Sequence, residues 1–392
     1  MVFKKLNGVG QLFRRGVPRS PAASQVGPIG LDIGPERFNM TQFSRCSEGL
    51  RLQESASVPY PIKREELLNT PVLFKRFIRQ ALKGRSFIGN RVVTCAFQAG
   101  VRTFLTSYKL SSKDAEPKTI LQSAMDRVEG SPDQWVVDYM RVRSANTQSK
   151  EAVDATSLVV VAPKAEIFQQ LDLLNSAGLQ VDALEVGPSS IRRLISTVHP
   201  PNPNKIENVL CINVGIRRTF LTIVSGRRLL TEKTVDFGER KIVQRLARIL
   251  SVPESVALSL LTRDRQPALE KGDAVLADPA LIRRTVLEII SPELQTLTHE
   301  ISRMLIYLAS QERGASINKI YLLGTATQWK EVSPLLSSLL AMPISHLDPV
   351  RLYSYEPGRY AQDQPEKQEA FAGHYHMAIS AGCAMRGFSA HG

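Results

Sequence analysis

Three short stretches carry residues able to gather phosphate and a metal ion. The first is Ile29-Gly30-Leu31-Asp32-Ile33-Gly34, an apolar run with Asp32 two residues before a glycine, continuing through Pro35 and Glu36 into the alternating segment Arg37-Phe38-Asn39-Met40-Thr41-Gln42-Phe43. The second is Val209-Leu210-Cys211-Ile212-Asn213-Val214-Gly215, followed by Ile216, Arg217 and Arg218 and then by Thr219-Phe220-Leu221-Thr222-Ile223-Val224. The third is Ile317-Asn318-Lys319-Ile320-Tyr321-Leu322-Leu323-Gly324-Thr325-Ala326-Thr327. A buried strand ending in glycine lets the backbone turn sharply and come close to a ligand. Successive amides in such a turn form a concavity for anions. A carboxylate just before the turn can hold a hydrated Mg²⁺ that bridges phosphates. Two such hairpins facing each other across a cleft would clamp a polyphosphate.

The elements that must position these turns follow from periodicity. The first and second stretches read as strand, tight turn, strand, with a further strand over Leu229 to Val235 after Gly226. The third turn is predicted to lead into a helix from about Trp329 to Leu340. Strands are predicted near Arg91 to Phe97 and Arg102 to Leu110, then a helix near Pro117 to Arg127. Apolar residues at helical spacing run from Pro279 to Arg313, with Pro292 expected to break or kink that helix at Ser291. His199-Pro200-Pro201-Asn202-Pro203 is the clearest linker. Arg351 to Gln368, with Pro357, Gly358 and Pro365, reads as a loop before the last helix. These signals predict an α/β chain with residues 1–28 as a leader, a first lobe over 29–205 with an inserted subdomain at about 92–185, and a second lobe over 206–387 whose last helix returns to the first lobe.

Composition bounds the function. At 392 residues the chain is too large for one ordinary core, and 43% hydrophobic with 22% charged residues is a globular composition. No apolar run reaches the ~18 residues of a membrane span. The four cysteines, Cys46, Cys95, Cys211 and Cys383, lie far apart without a Cys-x-x-Cys pair and read as thiols of a reducing compartment. A formal net charge of +13 favours acidic partners. The absence of zinc or aromatic-basic modules turns the choice from nucleic acid towards an anionic membrane surface or an acidic protein. Residues 1–28 hold Lys4, Lys5, Arg14, Arg15 and Arg19 and no acid. Gly8, Gly10, Gly16, Pro18 and Pro21 weaken a helix there, so the segment reads as a flexible basic leader drawn to anionic lipid by about 1 kcal/mol per basic residue. The sequence carries no Gly-x-x-x-x-Gly-Lys-Ser/Thr loop and no Gly-x-Ser-x-Gly elbow. His374 and His376, two apart, do not share a helix face and read as surface histidines.

The order of two phosphate hairpins and a later glycine turn resembles the actin-like superfamily, with its two-lobed, ribonuclease H-like fold. Within it the chain is similar to the PilM family of type IV pilus assembly proteins. Val136-Val137-Asp138-Tyr139-Met140-Arg141-Val142 resembles that family's insert strand, Leu158 to Lys164 with the residues to Val186 its strand–helix–strand, and Ala378 to Arg386 its last helix. The likeness spans about 28 to 387. It implies a site for ATP and Mg²⁺ built from Asp32, Gly34 and Glu36, from Asn213, Gly215, Arg217 and Thr219, and from Gly238, Gly324 and Thr325, with Asp32 as the metal ligand. It also implies a scaffold peripheral to the cytoplasmic side of the inner membrane, binding the tail of a PilN-like single-pass membrane protein beside the strands near Val92 to Phe97 and Val136 to Val142.

The chain departs from the family pattern at the site. Pro35 stands where the family has Ser, removing a hydroxyl and an amide donor. Asn213 stands where an Asp is usual and cannot supply the charge that holds Mg²⁺. Arg217 and Arg218 replace small or hydroxyl residues, Phe237-Gly238 a glycine pair, and Gly324-Thr325-Ala326 a glycine-rich turn. These changes predict a degenerate nucleotide site with no assigned catalytic residue. The alternatives are an actin-fold ATPase or small-molecule kinase, for which Asp32 is the one acid at a matching loop, and a membrane-associated filament protein like FtsA.

Overall fold

The computed structural model describes residues 26–47, 49–96, 100–110, 116–144, 153–200, 207–262, 279–311, 316–329, 331–354 and 374–388. The basic leader up to residue 25 and most of the loop expected over 351–368 lie outside the described residues; Arg351 to Ser354 close a short helix, α10 (Pro349–Ser354). The chain forms two compact units, one of Met1–His199, Arg227–Thr231 and Pro349–Gly392, the other of Pro200–Gly226 and Glu232–Asp348.

The first unit is built on β1 (Ile29–Ile33), β2 (Arg37–Cys46), β3 (Gly49–Pro59), β4 (Arg91–Cys95) and β8 (Gln180–Glu185), in the order β3-β2-β1-β4-β8. β1 runs antiparallel to β2 and parallel to β4, and β4 runs parallel to β8. Residues Phe38 to Ser44 of β2 are all buried, so the alternation seen in sequence separates two covered faces rather than core from water. Ile29, Leu31, Ile33, Phe38 and Met40 pack with Phe74, Phe77 and Ile78 of α2 (Pro71–Leu82), which follows α1 (Arg64–Asn69). The other face carries Gly30, Thr41 and Asp32 towards α11 (Ala378–Ala384), where Thr41 and Ser380 share a hydroxyl hydrogen bond of 2.8 Å.

The inserted subdomain is a three-stranded antiparallel sheet of β5 (Arg102–Leu110), β6 (Trp135–Ser144) and β7 (Val153–Pro163), with β7 in the middle, covered by α3 (Glu116–Met125). Glu116 clips α3 to the sheet through Arg141 and Tyr108. The strand expected in the insert near Arg91 to Phe97 belongs instead to the five-stranded sheet, because β4 finds parallel partners on both sides. The strand over Gln180–Glu185 belongs there as well, so the separate sheet is narrower than 92–185. α4 (Lys164–Ser176) and α5 (Gly187–Val198) flank β8 in sequence.

The second unit repeats the strand order. β9 (Asn208–Val214), β10 (Thr219–Ser225), β11 (Arg228–Val235), β12 (Lys319–Gly324) and β13 (Ile344–His346) lie as β11-β10-β9-β12-β13, with α6 (Glu239–Leu250), α7 (Glu254–Thr262), α8 (Pro279–Gln311) and α9 (Val332–Leu340) around them. Of the break or kink expected at Ser291, the break does not occur: α8 runs on through Pro292. Proline removes the amide that would bond four residues back and crowds that turn. The carbonyl left without its helical amide is that of Glu288; the next one, Ile289 O, accepts from Arg245 Nε at 2.7 Å. After Gly324 the chain makes a 3-10 turn over Thr325–Gln328, and the helix begins at Val332, three residues later than expected from Trp329. Trp329 is instead buried against Phe237, ring centroids 6.2 Å apart.

Among the described residues no helix is long and apolar enough to cross a membrane. Cys46 is exposed, while Cys95, Cys211 and Cys383 are buried free thiols. His376, expected at the surface, is half-buried beside Tyr375, and burial with the nearby Arg37 charge pushes it down to about 4.

α11 is held where only small residues fit. A Cβ at Gly30 of β1 would overlap the Ser380 carbonyl, and one at Gly382 the Ser190 carbonyl of α5. Gly382→Val is therefore expected to destabilise the first unit by about 3 kcal/mol or more, or to abolish its folding. Gly84→Ala, where no atom lies within 4 Å, serves as a control with its cost confined to the positive-φ backbone. Urea unfolding followed by tyrosine and tryptophan fluorescence measures both.

Candidate functional site

In the first unit the hairpin between β1 and β2 sets Asp32 opposite Asn39, and Asn39 Nδ2 donates to Asp32 Oδ2 at 3.0 Å. Asn39 Oδ1 in turn accepts from Ser57 Oγ at 2.7 Å, and Arg37 Nε donates to the same hydroxyl at 2.7 Å. The turn carbonyls are held from α1 and the end of β3. Arg64 Nε donates to Gly34 O at 2.9 Å and Nη2 to Ile33 O at 3.2 Å, while the Tyr60 hydroxyl donates to Gly34 O at 2.9 Å. Burial pushes the Asp32 carboxyl up to about 6, against the opposing pull of the Asn39 bond and the Arg64 charge. Pro35 and Glu36 stand exposed at the tip. Asp32 is thus a carboxylate kept charged at neutral pH at some cost, which a bound cation would offset.

In the second unit Asn213, Gly215, Thr219, Gly238, Gly324 and Thr325 gather at one end of the sheet, beyond the carboxyl ends of the parallel strands β9 and β12. Gly215 N donates to Arg218 O at 2.9 Å, closing the hairpin, and leaves Arg217 and Arg218 exposed at its tip. The start of α6 meets this hairpin backbone to backbone. Glu239 N donates to Gly215 O at 3.1 Å and Arg240 N to Ile216 O at 2.9 Å. A Cβ on Gly238 would come within 2.6 Å of Ile216 O, which accounts for glycine there. Thr219 is fully buried and its hydroxyl donates to Phe237 O at 2.9 Å. Thr325 is fully buried and its hydroxyl donates to Val214 O at 3.2 Å. Gly324 has φ +78°, a left-handed conformation that favours glycine, and its missing Cβ leaves room for Val214 O.

The structure therefore brings the sequence-derived residues into two clusters, Asp32, Gly34 and Glu36 in one unit and the other seven in the other. The first cluster fits a hydrated divalent cation through Asp32. In the second, both threonine hydroxyls and the two α6 amides at Glu239 and Arg240 are already bonded within the protein, and the buried Asn213 is neutral, so this donor set does not fit a phosphate–metal pair as it stands. Asn39, Tyr60 and Arg64 were missed from the sequence. Asn39 was within reach by counting strand register outward from the turn, whereas Tyr60 and Arg64 come from distant elements with no local signal.

A family model described as type IV pilus assembly protein PilM matches residues 30–388. The chain belongs to the PilM family. Among solved structures, a chain of the PilM-PilN type IV pilus biogenesis complex superposes with a TM-score of 0.68 at 19% identity, covering 93% of this chain and 99% of that one. The ethanolamine utilization protein EutJ from Carboxydothermus hydrogenoformans superposes with a TM-score of 0.50 at 10% identity, covering 93% and 91%. At these identities the likeness concerns the fold, which is the two-lobed actin-like one with an inserted subdomain. No curated protein sequence matches the chain.

For this PilM family member, Asp32→Asn is expected to raise stability at pH 7 by about 2–3 kcal/mol, since one pK unit corresponds to about 1.4 kcal/mol. The folded carboxyl titrates above its ordinary 3.8, so its penalty is complete above about 6 and fades as pH falls towards 3.8. The variant's advantage should accordingly shrink at pH 4.5. Urea midpoints of the two proteins at both pH values measure it.

Proposed function

We propose that this chain is a scaffold peripheral to the cytoplasmic face of the inner membrane, that it captures the tail of a PilN-like single-pass membrane protein, and that its nucleotide site is degenerate. The observation that carries this reading is family membership across 30–388, together with a fold shared over nearly the whole length with a chain of the PilM-PilN complex.

The inserted subdomain supplies the means of capture. In the order β5-β7-β6 the outer strands each have one neighbour among the described residues, so each offers backbone groups to an extended peptide. β4 is paired on both sides and cannot accept one. The tail adds along β6, in which Val137 and Tyr139 face α3 while Val136, Asp138 and Met140 alternate to the opposite face. On that face Val136 is already packed towards Ile167 and Leu171 of α4, and the half-buried Met140, beyond the Asp138 carboxylate, gives the tail its apolar contact.

The nucleotide site keeps Asp32 as the residue that would hold a metal ion, whose charge would neutralise phosphates. Turnover also needs a group to position water or a hydroxyl. Asn213 cannot serve as that base, and Pro35 brings no amide to the first loop. These features favour a retired site over an actin-fold ATPase or kinase.

Two titrations test the two halves separately. A synthetic peptide of the partner's cytoplasmic tail should bind with a heat signal, and Met140→Glu should weaken it at least tenfold, about 1.4 kcal/mol; unchanged affinity would move the tail elsewhere. Mg-ATP should give no heat in the micromolar range. Micromolar binding that disappears in Asp32→Ala would restore the enzyme reading.

A further inference from the structure

α2 is held from one side only. Phe74, Phe77, Ile78 and Ala81 are buried, and the Phe77 ring packs edge-on against Phe38 at 5.5 Å and tilted against Tyr60 at 5.7 Å. The opposite face presents Lys75, Arg76, Arg79 and Lys83, all exposed, with Val72 69% exposed at its start. Positions 75, 79 and 83 fall four apart, so they form a single stripe of about 12 Å along the helix. From Leu67 to Thr94 the sequence contains six basic residues and no acid. The packed neighbours do carry acids, Glu65 and Glu66 on α1 and Glu166 and Asp172 on α4, yet among the described residues no ion pair joins an acid to the four cations of the stripe. α6, an equally basic helix, differs in this respect, because Lys241 and Arg245 are both neutralised by Glu293.

We infer that the outer face of α2 is an electrostatic docking surface for an anionic lipid bilayer. This rests on the peripheral location proposed above and adds the residues that would orient the first unit there. Cations without ion-pair partners among the described residues, with Val72 exposed at the start of the same helix, match a headgroup layer that attracts charge and accepts a shallow apolar side chain. A single-stranded nucleic acid would be met by aromatics on which bases stack, and the exposed positions of α2 have none. The basic leader is a separate source of attraction, so its contribution has to be removed independently.

The test is flotation of the full chain with vesicles of phosphatidylglycerol and phosphatidylethanolamine, against vesicles of phosphatidylcholine alone. Three variants are compared with the parent: Lys75→Gln, Arg76→Gln, Arg79→Gln and Lys83→Gln together; the five leader cations, Lys4, Lys5, Arg14, Arg15 and Arg19, changed to Gln; and both sets combined. The parent and the leader variant should float with anionic vesicles, not with neutral ones, and lose that binding at about 1 M salt, where screening acts over about 3 Å. The α2 variant should lose at least tenfold in partitioning relative to its parent in either leader background. Equal flotation with and without the four cations overturns the inference, as does retention of the parent on neutral vesicles. Tighter salt-sensitive binding to duplex DNA or polyglutamate than to the anionic vesicles would overturn it too. All four positions are exposed, and unchanged melting curves establish that the fold survives. Tail-peptide titration on the same proteins separates the readings: lost flotation with intact tail binding in the parent sinks only the α2 surface, while intact flotation without tail binding sinks only the scaffold proposal.

Discussion

The first unit depends on one close approach, that of α11 to the backbones of β1 and α5. Gly30 and Gly382 leave no room for a side chain at either contact, so carbonyls and amides of the three segments lie nearly in van der Waals touch. A buried charge network fixes the same junction. Glu185 at the end of β8 accepts a bidentate pair from Arg193 of α5 at 2.7 and 2.8 Å, Arg386 adds a second cation, and Arg193 also donates to Gly382 O at 2.8 Å. Burial pushes the Glu185 carboxyl up, yet the bond and charge of Arg193 hold it below the usual carboxylate range. Such a network adds little net stability over an apolar replacement, but removing one partner strands the other charge. It specifies where the last helix must sit, and through that helix the backing of the strand that bears Asp32.

The second unit solves a similar problem by different means. Its hairpin carbonyls cap the first amides of α6, and the two threonines that the sequence suggests for a ligand tie strand ends to neighbouring loops. A family template and a stable strand-to-helix junction call for the same small and hydroxyl residues at these turns. Residue type alone therefore could not say whether Thr219 and Thr325 hold phosphate or backbone.

Much of the fold was legible because its signals are local. Glycine after an apolar run marked the turns at Gly34, Gly215 and Gly324, and alternation marked β2 and β10. The membership of β4 was not legible, since parallel pairing depends on strands distant in sequence and leaves no pattern within the strand itself. Nor was the passage of α8 through Pro292, since the cost of a proline within a helix is weighed against packing that the local sequence does not show. At the candidate site Asp32 could be read directly, whereas the cost of its charge comes from burial among Asn39, Tyr60 and Arg64, which only the folded arrangement reveals.

The placement of α11 has a consequence for biosynthesis. β1 leaves the ribosome some 350 residues ahead of its cover, which at roughly 5–20 residues per second is a delay on the order of tens of seconds. During that interval one apolar side of the nascent sheet, around Val93, Ala183 and Cys95, stays uncovered, while the second unit can complete its sheet once β13 has emerged. The later-made half is thus poised to fold first, and the earlier-made half is the natural client for a chaperone.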